Sequence, residues 1–211
     1  YLLFETDRGI IMLHLGMSGS LRVVPADFPA RAHDHVDILL DDGFCLRYHD
    51  PRRFGSIHLL KELKHPLLDS LGPEPLGETF HGQYLYLLSR KRRVSVKQFI
   101  MDGRIVVGVG NIYANEALFM AGIHPARGAG RISLGRFEVL SESIKLVLSG
   151  AIKQGGTTIR DFVGGDGSPG YFAQQLRVYG RAGLPCVNCG KMLRESRQCG
   201  RCSVFCPACQ R

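Results

Sequence analysis

Residues 1–60 contain short apolar runs separated by turn residues. Four runs show this pattern: YLLFET, IIMLHLG, HVDILL and FCLRYH. The first two flank Asp7-Arg8-Gly9, the last two flank Asp41-Asp42-Gly43, and residues 53–60 fit a further strand. Partly alternating runs closed by Asp and Gly are typical of β-hairpins, because these residues tolerate the backbone angles of tight turns. Consecutive hairpins predict a β-sandwich or a β-barrel.

The pattern changes after Gly72-Pro73-Glu74-Pro75, where we expect a domain boundary. Beyond Ser133, apolar residues recur at spacings of three and four, which is the period of an α-helix. These residues are Phe137, Leu140, Ile144, Val147 and Leu148. Gly155-Gly156 is expected to end this helix. Another helix is predicted to begin near Asn111, whose side chain suits an N-cap, and to end at Gly122.

The chain shows no sign of export or membrane insertion. No apolar run approaches the roughly 20 residues that a membrane-spanning helix needs, and the start YLLFETDRG lacks the basic region and cleavage site of a signal peptide. We therefore expect a cytoplasmic protein. Tyr1 is not an initiator Met and already lies in an apolar run, so we expect upstream sequence to be missing, because chain termini are usually solvated.

Charge is divided unevenly along the chain. Residues 1–89 hold 8 Lys and Arg against 12 Asp and Glu, or −4, whereas residues 90–211 hold 19 against 7, or +12. A basic half favours a polyanionic partner, most often a nucleic acid. The alternative is a solvated basic surface that only aids solubility.

Six of the seven cysteines fall within the last 26 residues. In a chain without an export signal, this crowding favours a metal site over disulfides. The pairs Cys186-x2-Cys189 and Cys206-x2-Cys209, sixteen residues apart, fit four thiolates around one zinc ion in a β-hairpin ribbon. Four thiolates leave no open coordination position, so we expect the zinc to be structural.

A third pair, Cys199 and Cys202, lies between the outer two pairs. Spacing alone leaves both of these cysteines open as ligands. We choose the outer pairs because they leave room for the turn of the hairpin.

Three glycine-bearing segments carry polar or basic residues: HLGMSG at 14–19, DPRRFG at 50–55 and GVGNIY at 108–113. The last can meet a phosphate at a helix N-terminus, or it is a plain junction between a loop and a helix. Arg52 and Phe54 suit insertion into a duplex, or they form a hairpin-tip salt bridge beside a core Phe. The basic run at residues 90–93 is by default a solvated helix end, and His14 is by default structural.

Taken together, these segments resemble the bacterial formamidopyrimidine-DNA glycosylase family. The matching pieces run in order along almost the whole chain: HLGMSGSLR (14–22), HDHVD (33–37), LRYHDPRRFG (46–55), LGPEPL (71–76), VVGVGNIYANEALFMAGIHP (106–125), QGGTTIRDF (154–162), GYFAQQLRVYGR (170–181) and the C-terminal cysteines. The related endonuclease VIII branch shares the architecture. The segments NIYANEALF and GYFAQ look more like the formamidopyrimidine branch.

The resemblance implies an α+β fold in three parts: an antiparallel β-sandwich at residues 1–75, a helix–two-turn–helix DNA-binding domain at 76–183, and a four-cysteine zinc hairpin at 184–211. It implies a base-excision-repair glycosylase that removes oxidised purines (8-oxoguanine and formamidopyrimidines) and cleaves the abasic strand by β/δ-elimination. The implied cofactor is one structural Zn²⁺. The implied partner is double-stranded DNA with oxidised purines or abasic sites, lying across a basic cleft and bound by a monomer.

The resemblance also assigns roles to single residues. Met17, Arg52 and Phe54 match a trio that fills the void left by a flipped nucleotide, with Arg52 facing the orphaned cytosine. Arg201 matches a phosphate clamp that the family also uses in the last elimination step, and it is therefore the expected catalytic residue. Residues 164–171 match a segment that closes over the flipped base.

The remaining expected DNA contacts are His14, His33, Arg92, Lys97 and Asn111. His14 and Asn111 match further phosphate clamps, and Lys97 matches a lysine implicated near the lesion.

The family's nucleophile is an N-terminal proline amine, followed by a glutamate acid and, later, by a lysine that assists elimination. The resemblance begins at Tyr1, directly after the position of that lysine, so we expect this segment to be missing from the chain. One alternative function is a truncated, inactive module that binds damaged or abasic DNA. Another is a zinc-ribbon scaffold for protein contacts, against which the basic residues argue.

Overall fold

The structure is a computed structural model that describes residues 1–156, 176–198 and 200–211. The chain divides into two compact units. The first contains Tyr1–Asp69 and residues 154–156, and the second contains Ser70–Lys153 with the described residues from 176 onward. The division at residues 69 and 70 lies close to the boundary predicted at 72–75. The further separation of a cysteine hairpin as its own domain stays a prediction.

Among the described residues of the first unit, six strands form two antiparallel sheets. One sheet has the order β1-β2-β6 and the other β3-β5-β4. The strands are β1 (Leu2–Thr6), β2 (Gly9–His14), β3 (Ser20–Pro25), β4 (Asp34–Leu39), β5 (Phe44–His49) and β6 (Ser56–Leu60), followed by the one-turn helix α1 (Pro66–Asp69). Both predicted hairpins are confirmed, since β1 pairs with β2 and β4 with β5.

A buried arginine fixes the register of the second sheet. Arg47 on β5 lies opposite Asp37 on β4, and its Nε and Nη2 each donate to that carboxylate at 2.8 Å. The Nη1 of Arg47 donates to the carbonyl oxygens of Phe28 and Pro29. A two-pronged pair of this kind holds both groups in one geometry, so a slip of the strands would leave a buried charge without its partner.

The described part of the second unit contains four longer helices and one hairpin. They are α2 (Gly82–Ser89), α3 (Val96–Ile100), α4 (Asn111–Met120), a 3₁₀ turn (Ala129–Arg131), α5 (Leu134–Lys153), β7 (Arg194–Gln198) and β8 (Arg201–Phe205). Among the described residues, no helix has the length and apolar character needed to cross a membrane. The α+β fold class is confirmed.

The helix α5 supplies much of the core of the second unit. All five apolar residues that define its predicted face are buried, and the helix packs against α2 and α4. Phe137 meets Phe99 of α3 edge to face, with ring centres 6.2 Å apart. The periodicity of the sequence therefore identified the face that packs.

The predicted cap of α4 is wrong by one residue. Asn111 is the first residue of the helix, and the N-cap is Gly110, which has extended backbone angles and no side chain to cap with.

Further along α4, the buried carboxylate of Glu116 accepts hydrogen bonds at 2.9 Å from the backbone N–H groups of residues 177, 178 and 179. These three bonds tie the helix to the segment that precedes the cysteines.

Gly82 marks a close approach between α2 and α5. A Cβ at this position would lie 2.5 Å from the backbone N and Cα of Glu138. We expect Gly82→Ala to lower the free energy of unfolding by about 1–3 kcal/mol, because the helix backbone must shift to make room. Urea denaturation followed by circular dichroism measures this change.

The matched control is Gly135→Ala in the first turn of α5, where the nearest atom, Glu138 Oε2, is 4.0 Å away. There alanine should raise the free energy of unfolding by about 0.5–1 kcal/mol, because glycine is the poorer helix former. If the two variants have equal stability, the proposed close packing is wrong.

Candidate functional site

Two exposed loops of the first unit carry the residues expected to fill the void. Met17 lies between β2 and β3 with 71% of its surface exposed, and Phe54 lies between β5 and β6 with 57% exposed. The guanidinium carbon of Arg52 lies 4.7 Å from the centre of the Phe54 ring. Phe54 is therefore not a core residue. No ion pair of Arg52 occurs in the described part of the chain, so the alternative of a hairpin-tip salt bridge has no support.

The two loops contact each other through their backbones. Gly16 has a φ of +65°, and a Cβ on it would lie 2.7 Å from the carbonyl carbon of Phe54 and from the amide nitrogen of Gly55. Only glycine combines this backbone angle with this close approach at little cost. The loop that carries Met17 therefore lies directly beside the loop that carries Phe54.

A buried carboxylate lies beneath both loops. Asp50 is 1% exposed, and four groups donate hydrogen bonds to its two oxygens: Ser18 Oγ at 2.9 Å, Arg52 N at 3.3 Å, Tyr48 OH at 3.0 Å and Gly55 N at 2.9 Å. Burial opposes ionisation, but the four donors outweigh it and lower the pKa of Asp50 to about 2. Burial and the adjacent carboxylate raise the pKa of Tyr48 to about 12.

Sequence reasoning missed Asp50. The Asp-Pro dipeptide at residues 50 and 51 marks a turn, and an aspartate there often bonds to backbone groups two or more residues ahead. That signal was available, but it does not distinguish a solvated turn from a buried carboxylate.

Two predicted DNA-contact histidines lie close to this network. His14 ends β2, and its Nδ1 accepts a hydrogen bond from Gly16 N at 3.1 Å. His33 has a φ of +75°, and its carbonyl oxygen accepts the N–H of Asp50 at 3.0 Å. The ring Nε2 of His35 lies 2.9 Å from the carbonyl oxygen of Asp50. The structure thus brings His14, His33 and the predicted trio together in the first unit.

The second unit contains a basic pocket of about 400 Å³. Its cationic lining residues are Arg92, Lys97, Arg104 and Arg201. Arg201 begins β8, and the side chains of Arg92 and Arg201 are both exposed. The pocket therefore combines three of the expected functional residues.

Lys97 has a different setting from the other predicted contacts. It is 2% exposed, and its Nζ donates to Cys202 O at 2.6 Å and to Ser203 Oγ at 2.7 Å. Burial, reinforced by the charge of Arg201, lowers the pKa of Lys97 to about 8. Lys97 therefore joins α3 to β8, next to the strand residue Arg201.

Asn111 lies at the first turn of α4, away from the lining of that pocket. Within the described part of the chain, its buried Oδ1 has no hydrogen-bond partner. One turn later, Asn115 Oδ1 accepts from Val204 N at 2.8 Å, which joins α4 to β8. Asn115 and Lys97 thus anchor the same strand from two helices.

The four cysteines of the outer pairs converge on one point. Their sulfurs lie within 4.8 Å of one another, with 3.9 Å between Cys186 and Cys209 and 3.5 Å between Cys189 and Cys206. Tetrahedral thiolates at zinc–sulfur bonds of about 2.3 Å have sulfurs about 3.8 Å apart. The set is therefore positioned to bind one metal ion.

Backbone N–H groups point at two of these sulfurs. The N–H of Cys209 points at Cys206 Sγ and that of Asn188 at Cys186 Sγ, each with N···S of 3.4 Å. Burial opposes ionisation of Cys206, but the N–H groups of Cys209 and Ala208 lower the pKa of its thiol, whereas the neighbouring thiols and burial raise the pKa of Cys209. An ionised sulfur is the form that binds metals.

The inner cysteine pair is only partly placed. Cys202 Sγ lies 3.5 Å from Glu195 Oε2 and is outside the four-sulfur cluster. Cys199 and the predicted closing segment at residues 164–171 lie outside the described residues.

The charge of Asp50 gives a prediction for acid unfolding. A carboxyl whose folded pKa lies below its ordinary 3.8, here about 2, stabilises the fold above pH 3.8 and loses that contribution as the pH falls toward 2. Asp50→Asn should therefore be less stable than the parent at neutral pH, by about 1–3 kcal/mol. The gap should narrow below about pH 4. Urea denaturation of both proteins from pH 3 to 7 measures the difference between their free energies of unfolding. If this difference is the same at every pH, the assignment is wrong.

Comparison with known proteins covers both units. Family models described as the formamidopyrimidine-DNA glycosylase N-terminal domain and H2TH domain match residues 1–57 and 71–163. The formamidopyrimidine-DNA glycosylases of Alcanivorax borkumensis and Thioalkalivibrio sulfidiphilus are 60% and 58% identical over the whole chain, which covers 79% of each.

Solved structures give the same result. The MutM (Fpg) protein of Thermus thermophilus is 36% identical with a TM-score of 0.89, over 99% of this chain and 78% of that one. Lactococcus lactis Fpg in complex with DNA containing N7-benzyl-Fapy-dG is 34% identical with a TM-score of 0.90, over 100% of this chain and 78% of that one. The chain belongs to the formamidopyrimidine-DNA glycosylase family.

Proposed function

We propose that this protein is a base-excision-repair DNA glycosylase that removes oxidised purines, including 8-oxoguanine and formamidopyrimidines, and cleaves the abasic strand by β/δ-elimination. The observation that carries the proposal is the exposed Arg52–Phe54 stack beside Met17, in a chain that belongs to this family. Relatives of similar fold were solved with DNA containing Fapy-dG or an abasic site, which agrees with a damaged-duplex substrate.

The chemistry of the trio suits a duplex from which a nucleotide has been extruded. Extrusion costs a few kcal/mol of pairing and stacking. The apolar side chains of Met17 and Phe54 can fill the vacated space, and such wedges stabilise unstacked steps. The guanidinium of Arg52 offers several N–H donors to the acceptors of an orphaned cytosine. The three side chains together therefore provide damage recognition and a preference for cytosine as the opposite base.

The second unit supplies the contacts to phosphate. Arg92 and Arg201 present exposed guanidinium groups at one pocket, and Asn111 lies at the N-terminal turn of α4, where backbone N–H groups attract anions. Contacts of this kind position a duplex without reading its sequence. The family role in the last elimination step is proposed for Arg201 as well, so this residue serves binding and catalysis.

We propose zinc as the metal of the four-cysteine cluster. Four thiolates in tetrahedral array favour zinc among the common cellular ions. A closed site of this type stabilises the hairpin rather than reacting with substrate. Since Arg201 begins β8 of that hairpin and Cys206 follows its last residue, the metal would hold the guanidinium in place.

The metal proposal predicts about one zinc ion per chain, as expected for a closed four-thiolate site. Cys206→Ser should lose the bound metal, whereas Cys202→Ser, which changes a sulfur outside the cluster, should retain it. Atomic absorption of gel-filtered protein measures the stoichiometry. If Cys202→Ser loses the metal, or if the parent binds none, the ligand assignment is wrong.

The functional proposal is tested by binding to duplexes that cannot be cleaved. We expect fluorescence anisotropy to show at least about tenfold tighter binding to a tetrahydrofuran abasic analogue opposite cytosine than to an undamaged duplex. Arg52→Ala should reduce discrimination between cytosine and adenine opposite the analogue. Arg201→Ala should weaken binding to every duplex and reduce the salt slope by about one.

The charge-matched control is Arg8→Ala in the turn between β1 and β2, which removes one cation away from the predicted contacts. It should leave both the discrimination and the salt slope close to those of the parent. Equal affinity of the parent for damaged and undamaged duplexes would overturn the proposed function.

A further inference from the structure

The four hydrogen-bond donors to Asp50 lie in different parts of the first unit. Ser18 donates from the loop that carries Met17. The N–H groups of Arg52 and Gly55 donate from the loop that carries Arg52 and Phe54. The hydroxyl of Tyr48 donates from β5, outside both loops. Asp50 itself begins the second loop, directly after β5. Its buried carboxylate therefore closes that loop, joins it to the Met17 loop and accepts a bond from strand β5.

Asp50 fastens each loop at a different point. In the first loop, the N–H of Gly19 donates to Leu15 O at 2.9 Å and closes a tight turn around Met17; the adjacent Ser18 then fastens that turn to Asp50. In the second loop, the backbone N–H groups of Arg52 and Gly55 donate to Asp50, and these two residues flank Phe54 in the sequence. Without an acceptor, these partly buried donors would lose their partners, which is costly.

The geometry points to a role for Asp50 beyond stability. We propose that Asp50 is a positioning residue that couples the two loops, so that Met17, Arg52 and Phe54 enter a damaged duplex as one preorganised unit. This proposal rests on the proposed function. Because Asp50 is 1% exposed, it acts through its partners and makes no contact with DNA itself.

Preorganisation matters because a flexible loop loses conformational freedom when it binds. Ordering a side chain at an interface carries an entropic cost that weakens binding. If both loops are held by one group, this cost is met during folding, and insertion of one side chain favours insertion of the other. The expected signature is non-additivity between substitutions in the two loops, which a purely structural aspartate would not produce.

A double-mutant cycle tests the coupling. The affinity for the tetrahydrofuran duplex opposite cytosine is measured for the parent, Met17→Ala, Arg52→Ala and the double variant. We expect the double variant to lose less affinity than the product of the two single losses, by about threefold or more. The same four proteins are then measured in an Asp50→Asn background, where the losses should multiply to within about twofold.

Two further variants separate the links of the network. Ser18→Ala removes only the bond to the Met17 loop and should also abolish the non-additivity. Tyr48→Phe removes a bond of the same kind that joins β5 to Asp50 and does not involve the Met17 loop, so it should preserve the non-additivity. If Asp50→Asn fails to fold, as judged by thermal unfolding, the comparison of Ser18→Ala with Tyr48→Phe decides the question.

Non-additivity that persists in Asp50→Asn or in Ser18→Ala would overturn the coupling role, as would its absence in the parent. The failure of the proposed function looks different, because the parent would then not prefer the damaged duplex at all.

Discussion

Four hydrogen bonds at the buried carboxylate of Asp50 hold the exposed loops of the first unit. An exposed side chain such as Met17 or Phe54 gains little from the core, so its position depends on the backbone beneath it. A buried carboxylate is costly unless it is fully paired. The loops and the carboxylate therefore constrain each other. The loops must adopt the geometry that satisfies Asp50, and Asp50 then fixes the side chains that the loops present.

The second unit follows the same constraint with other polar residues. Lys97 on α3 and Asn115 on α4 are both buried, and each makes a hydrogen bond to β8. Glu116 does the same on the segment at residues 177–179. The hairpin that carries Arg201 is therefore attached to the helices by directional bonds as well as by the apolar cluster around Phe119 and Val204. Directional bonds fix an orientation, which a guanidinium that meets a phosphate requires.

The elements with strong hydrophobic periodicity were predicted correctly from the sequence. The errors concern one strand and one helix cap, where neighbouring residues favour different local structures. Both hairpins and α5 follow from spacing, and the four outer cysteines follow from their paired motif. Strand β3 at Ser20–Pro25 was missed, because the glycines before it read as a loop and proline closes it. The cap of α4 was misplaced by one residue because asparagine is the better capping residue, yet Gly110 occupies the capping position.

In the candidate site, local sequence patterns also fail to identify some of the important residues. Exposed residues such as Arg52, Phe54 and Arg201 stand in recognisable motifs, so resemblance can propose roles for them. Asp50 and Asn115, which position them, depend on partners that are distant in sequence: Ser18 lies 32 residues from Asp50, and Val204 lies 89 residues from Asn115. No local pattern encodes such a pair, because burial of a polar group is decided by the tertiary fold. The residues proposed to contact DNA are therefore easier to infer from sequence than the residues that hold them in place.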